Sequence, residues 1–313
     1  MNGLKQIYTY CKKHWKKGIG GLILFVFIFY IVPDIQWDQI REAVRTVFQH
    51  PVFLLSVVLL YAFSFYLKAW AWKLLLPVPV SFFTCLYGLW YSLFFNHVLP
   101  IKVGDVVRSY LLYEREEHVS LKQALTTVIF LRLLDLLSLF ILVGVGILIL
   151  AKKVGIIVFL IGTGIGILIL LFSKSIRKWL ARFSNLKMFW SIRHAWSIFG
   201  LTFFSWICEA GIAFFSIFLV LNEWYPFLSI WVNSFTIIGQ LFQITPGGFG
   251  NYETVMAFSL SRMGIGWEDA ITVGIVSHSI KYVFSFTVGI WGWIRYPLSW
   301  KTVHQWIRGR KKS

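Results

Sequence analysis

Charge is scarce in this chain, and acid scarcer still. Of 313 residues only 14% are charged, with 13 Asp and Glu against 30 Lys and Arg. A soluble domain carries about 25% charged residues. Together with a mean hydropathy of +0.72, that scarcity excludes one. Cysteine is thin too: Cys11, Cys85 and Cys208 lie far apart without metal-ligand spacing. They read as free structural thiols, and no metal or other cofactor is expected. A Walker A loop is missing, so ATP-driven pumping by this chain alone is not expected. No paired carboxylate, metal cluster or Ser–His–Asp set accompanies His97. It reads as an interfacial hydrogen-bonding residue rather than a catalytic base. No small-residue cleavage site follows the first apolar stretch, so that stretch reads as a retained helix rather than a signal peptide.

What is present is apolar length. Runs long enough to cross a bilayer recur along the whole chain, which reads as a single polytopic membrane domain over 1–313 with short basic tails at 1–17 and 295–313. The fold class is all-α integral membrane. Spans are predicted at Gly18–Val32, Pro51–Leu67 (ending at Lys68 and Lys73), a helix opening at Ser120 and running to about Leu150, Val154–Phe172, Ile198–Leu221 and Ile271–Ile294. Ser120-Leu-Lys-Gln123 has the form of a capping box for the third of these. Asp34–His50 reads as a short external interfacial helix. The net charge of +17 sits largely in a few loops and tails; the Lys174–Arg193 loop alone holds six Lys and Arg and no acid. Basic segments of this kind mark the cytoplasmic side, facing anionic lipid, so nucleic acid is not an expected partner. Both termini then lie inside. Trp70, Trp72, Trp224, Trp231, Trp291 and Trp293 fall near span ends and read as an interfacial belt.

Two segments interrupt the apolar pattern. Val80–Leu99 runs into Pro100-Ile-Lys102-Val-Gly104-Asp105-Val-Val-Arg108, and the run from Phe227 to Arg262 contains Pro246-Gly247-Gly248-Phe-Gly250-Asn251-Tyr-Glu253. Broken backbone in lipid survives only where it is buried in protein or lines a wet cavity. If both regions are re-entrant, six full spans remain and every strongly basic loop is cytoplasmic. Three full spans separate the two breaks, so they enter from opposite faces, the pattern of an inverted repeat. Gly247, Gly248 and Gly250 permit positive φ and close approach of a ligand. A helix starting near Asn251 presents free N–H groups to an anion, unless Glu253 reaches back to that helix start as a capping-box acid. Asp105 fits an N-cap or a cavity wall equally. Arg108 fits a phosphate fork, or else a side chain snorkelling to the headgroups.

Five ionisable residues fall inside predicted spans: Arg132, Asp135, Glu209, His278 and Lys281. A charge at mid-bilayer costs at least about 2.5–3.5 kcal/mol, so each should face the bundle interior. Arg132 with Asp135, and Glu209 with Lys281, are candidate structural ion pairs. Alternatively, with Lys102, Asp105, Arg108 and Glu253, they line a polar cavity.

The two breaks together resemble the flippase-like membrane domain of the lysylphosphatidylglycerol synthetase/flippase family and its stand-alone relatives. There N-x-x-x-P-x-x-x-G-[DE]-x-x-R and P-G-G-x-G-x-x-E patterns recur; here they read Asn96 to Arg108, with Pro100, Gly104 and Asp105 in place, and Pro246 to Glu253. Asp105 stands where Glu is commoner. The resemblance implies movement of a lipid, often aminoacylated or glycosylated, between leaflets of a bacterial plasma membrane. The implied partners are a membrane lipid with an anionic or modified headgroup and a lipid-modifying synthase or glycosyltransferase. This chain ends about twenty residues after its last span, so lipid lysinylation and a tRNA partner do not carry over. On that reading the cations attract a phosphate while Asp105, Asp135, Glu209 and Glu253 balance them or hold an amine. A membrane enzyme acting on lipid-linked phosphate, or a non-transporting scaffold, is the competing expectation.

Overall fold

The computed structural model describes residues 36–99, 102–151, 164, 192–242 and 245–297. Several expectations fall outside them: the spans at Gly18–Val32 and Val154–Phe172, Lys152 and Lys153, most of the Lys174–Arg193 loop, and the tail beyond 297. The described residues are helical, without a strand among them.

Helix α1 (Trp37–Gln49) is followed at once by α2 (Pro51–Leu75). Pro51 takes the first helical position, where a missing N–H and a fixed φ are no handicap. The helix stops at Leu76, just before Pro77. It therefore runs well past Leu67, where the sequence pattern ended the span. An apolar helix tolerates a single Lys if a partner awaits it, and Lys68 has one. Helix α5 (Leu121–Ala151) opens on the predicted capping box: Ser120 N–H donates to Gln123 Oε1 at 2.8 Å, and Gln123 N–H donates back to Ser120 Oγ at 3.2 Å. α6 (Ile192–Glu209) and α7 (Gly211–Leu221) are separated by Ala210 alone. With α10 (Trp267–Arg295), four described segments are long and apolar enough to cross a membrane: Pro51–Leu75, Leu121–Ile147, His194–Leu221 and Trp267–Arg295.

Both predicted breaks fold as hairpins. In the first, α3 (Phe82–Val98) packs antiparallel on α4 (Gly104–Arg115). Ser81 N–H reaches Glu116 at 3.1 Å at the open end, and Gly104 N–H donates to Asn96 Oδ1 at 2.9 Å near the turn. Gly104 is needed there, since a Cβ would collide with the Ser92 carbonyl and Asn96 Oδ1. In the second, α8 (Pro226–Gly239) leads through two short 3₁₀ turns, Gln240–Phe242 and Pro246–Gly248, into α9 (Asn251–Ser261), which packs back on α8.

Helix α10 shows how the hairpins are arranged. The open end of the first lies at its C-terminal end, where Tyr91 Oη donates to Tyr296 O at 2.7 Å and Arg115 to Pro297 O at 3.2 Å. The second lies along its N-terminal half, where Gly274 contacts the Glu253 backbone and Tyr252 bonds Ser277 at 2.8 Å. The two turns meet at the middle. His97, at the end of α3, bonds Ser285 Oγ at 2.9 Å, and its carbonyl lies against Gly247. The hairpins thus approach from opposite ends of one spanning helix. α1 lies over the N-terminal end of α10, with Gln36 bonded to Glu268 and Gln39 to Asp269. That puts α1, within the expected external segment Asp34–His50, on the same side as the acidic pair Glu268 and Asp269.

Two of the belt tryptophans are not at an interface. Trp72 is fully buried, donating Nε1 to Thr127 Oγ1 at 3.1 Å, and Trp231 is buried beside Gly146 of α5. Trp224 and Trp291 are exposed, as a belt requires.

Candidate functional site

Where the turns meet, the bundle forms a partly open cavity of about 140 Å³. Its walls come from α2, α3, α5, α6 and both breaks. Lys68, Lys102, Arg108, Arg132, Asp135 and Glu209 supply its charge; Asn96, Thr202 and Gln240 add neutral polar groups; Leu89, Leu131 and Ile237 close it. Of the residues singled out from sequence, Lys102, Arg108, Arg132, Asp135, Glu209 and Gly247 line it. Asp105, Glu253, His278 and Lys281 stand behind the wall, each bonded to a neighbour. Gly248, Gly250 and Asn251 build the second turn.

The first cluster centres on Asp105. It is not the N-cap of α4, a position held by Val103; it sits in the first helical turn. Its two oxygens take a bidentate pair of hydrogen bonds from Arg132 Nε and Nη2, both at 2.8 Å. Arg108 Nη2 lies 2.9 Å from Asp105 Oδ1, and Arg132 Nη1 lies 3.5 Å from Asp135 Oδ2. So Arg132 and Asp135 do pair, but the stronger partner of Arg132 is Asp105, twenty-seven residues away on another helix. Asp135 is further fixed by Trp206 Nε1 at 2.9 Å. Arg108 does not snorkel: it is 3% exposed and its guanidinium lies over the Trp72 ring at 5.2 Å.

A second cluster centres on Glu209. The expected Lys281 pair exists at 3.3 Å, but Lys68 is closer at 2.8 Å. Lys281 also donates to Asn233 Oδ1 at 2.9 Å, and the Lys68 ammonium sits 3.6 Å from the Trp206 ring centroid. Sequence reasoning took Lys68 for a flanking residue and missed it. The signal was there: no Gly or Pro interrupts the apolar run between Lys68 and Pro77. Lys68 therefore falls inside the helix, one turn from Ser64 and Trp72 and two turns from Tyr61.

The third cluster holds the second turn. Gly247, Gly248 and Gly250 have φ of 63°, 80° and 80°. At Gly247 a Cβ would collide with the Tyr282 hydroxyl and the His97 carbonyl. Gly250 N–H donates to Glu253 Oε2 at 2.8 Å, the reach-back expected of a capping acid, while Glu253 Oε1 pairs with His278 Nδ1 at 2.7 Å. Gly250 N–H is therefore taken by the protein's own carboxylate. Asn251 Nδ2 ties the turn to Gly239 O at 3.2 Å. His97 is half-buried on the cavity wall, bonded to Leu93 O and Ser285 within the bundle.

A cavity flanked by two interrupted helices, with its charges cross-braced between elements, suits the binding of a small charged group inside a bilayer. Comparison with known proteins returned no match among curated proteins and none among solved structures. The model of one family, described as the lysylphosphatidylglycerol synthase TM region, matches residues 18–289. The chain is a multi-pass membrane protein and belongs to that family, whose membrane region it matches over nearly its whole length.

Proposed function

We propose that this protein is a lipid flippase or facilitator, moving a phospholipid, aminoacyl-lipid or glycolipid between leaflets of a bacterial plasma membrane. The carrying observation is the meeting of the two breaks, His97 against Gly247, beside a cavity that holds six charged side chains. A headgroup crossing a bilayer must be kept from hydrocarbon at its midplane. Polar groups are costly there unless matched. Two hairpins whose turns meet offer that match from both sides. The acyl chains stay in lipid while the headgroup passes. The basic loops and tails face the cytoplasm on this reading, with a lipid-modifying synthase or glycosyltransferase supplying the cargo.

The test is reconstitution of the full chain in vesicles. Fluorescent or radiolabelled lipids of each headgroup class are placed in one leaflet, and their appearance in the other is timed. Exchange faster than in protein-free vesicles is expected for at least one class. Rates equal to empty vesicles for every class would end the transport reading. Covalent conversion of lipid-linked phosphate, seen by mass spectrometry, would replace it with an enzyme.

A further inference from the structure

The charges of the cavity do not balance. Lys68, Lys102, Arg108 and Arg132 face Asp135 and Glu209, leaving two positive charges in excess. Behind the wall Asp105 adds one negative charge, against Arg132 and Arg108, and Lys281 adds one positive charge, against Glu209, so these two cancel in the sum. Glu253 is engaged by Gly250 N–H and His278. Two of the four cations also have unused capacity. Arg108 is 3% exposed, yet its Nε and Nη2 make no hydrogen bond, Nη2 keeping only its ion-pair contact with Asp105 Oδ1 at 2.9 Å. Lys102, half-buried in the first break, has no ion pair or hydrogen bond among the described residues. A buried guanidinium with idle donors costs free energy until an acceptor arrives. A phosphate, with three or more acceptor oxygens, satisfies a planar N–H edge and an ammonium on the same cavity wall together.

Resting on the transport reading above, we infer that the cavity is an anion site. It takes a lipid headgroup bearing a phosphate monoester or pyrophosphate, held by Arg108 and Lys102, and it disfavours cationic aminoacylated headgroups. Arg132 and Lys68 are already committed to Asp105 and Glu209 and shape the field around the site. An extra ammonium would meet a wall with more cations than carboxylates, both wall carboxylates being already engaged: Asp135 by Trp206 and Arg132, Glu209 by Lys68 and Lys281.

Calorimetric titration of the full chain in a neutral detergent tests this with four probes: dihexanoyl phosphatidic acid, dihexanoyl phosphatidylglycerol, its lysyl ester, and inorganic phosphate. The phosphatidic acid should bind tightest and the lysyl ester weakest. Lys102→Met should weaken the phosphatidic acid at least tenfold, Lys102→Arg should not, and Arg45→Ala, an equal charge loss on the exposed face of α1, should change nothing. Asp135→Asn, which keeps an oxygen for Trp206, should leave phosphate binding equal or tighter. Three results would overturn the inference: tightest binding by the lysyl ester, loss of binding on Asp135→Asn, or equal effects of the Lys102 and Arg45 variants. Inorganic phosphate binding as tightly as the lipid would keep the phosphate site but make its source a solute. Failure of lipid exchange with phosphate-lipid binding intact would remove the transport reading and leave the anion site standing. Exchange of the lysyl ester unaffected by Lys102→Met would do the reverse.

Discussion

Glu209 is the residue on which the interior charge depends most. It carries two ammoniums, Lys68 at 2.8 Å and Lys281 at 3.3 Å, and its own side chain is 6% exposed. Glu209→Gln strands both cations. Removing one partner of a buried pair costs about 3–5 kcal/mol, so melting in detergent should fall steeply. A variant melting like the wild type would show that the network is hydrated rather than buried. The glycines give a sharper contrast. Gly104→Ala drives a methyl into Ser92 O and Asn96, an overpacking worth about 1–3 kcal/mol. At Gly200, on α6, nothing lies within 4 Å of an added Cβ. Gly200→Ala should therefore be neutral or gain up to about 1 kcal/mol of helix propensity. The residue types at the site were legible in the sequence, because each charge inside an apolar run is conspicuous. Their pairing was not. Asp105 with Arg132 and Lys68 with Glu209 join different helices, and spacing along one helix, which did find Arg132 with Asp135, says nothing about that.

Among the elements, the breaks were the most readable. Pro with Gly in an apolar run cannot continue a helix unmarked, and the three glycines of the second turn all adopt positive φ. The capping box at Ser120 was equally local and is present. Ser120→Ala should cost about 1 kcal/mol, read as a lower melting temperature without loss of the fold. Helix ends set by tertiary contact were less readable. α2 continues through Lys68 to Leu75 because Glu209 and Trp206 neutralise and cover the ammonium. Trp72 sits in the core rather than at the interface because Arg108 packs on its face and Thr127 accepts its N–H. Both depend on helices distant in sequence. The meeting of the two hairpins at the middle of α10 is a property of the assembled bundle, although the span count, with both regions read as re-entrant, already had them entering from opposite faces.

At the scale of the molecule, the distribution of charge predicts the sidedness of the chain. Lys73, Arg115 and Arg295 gather at one end of the bundle, whereas Glu268 and Asp269 contact α1 at the other. A cysteine placed near Glu268 should therefore react with an impermeant thiol reagent in intact cells, and one in the Lys174–Arg193 loop only after lysis. The opposite labelling would invert the protein in the membrane. The central claim is narrower: the paired breaks enclose a headgroup site that transport requires. Leaflet exchange in vesicles holding matched amounts of wild type, Arg108→Lys and Glu253→Gln tests it most directly. Lys keeps the charge and loses the fork; Gln keeps a capping oxygen and loses the charge facing His278. Both variants should fold like the wild type and exchange lipid no faster than empty vesicles. Wild-type exchange by both would contradict the account.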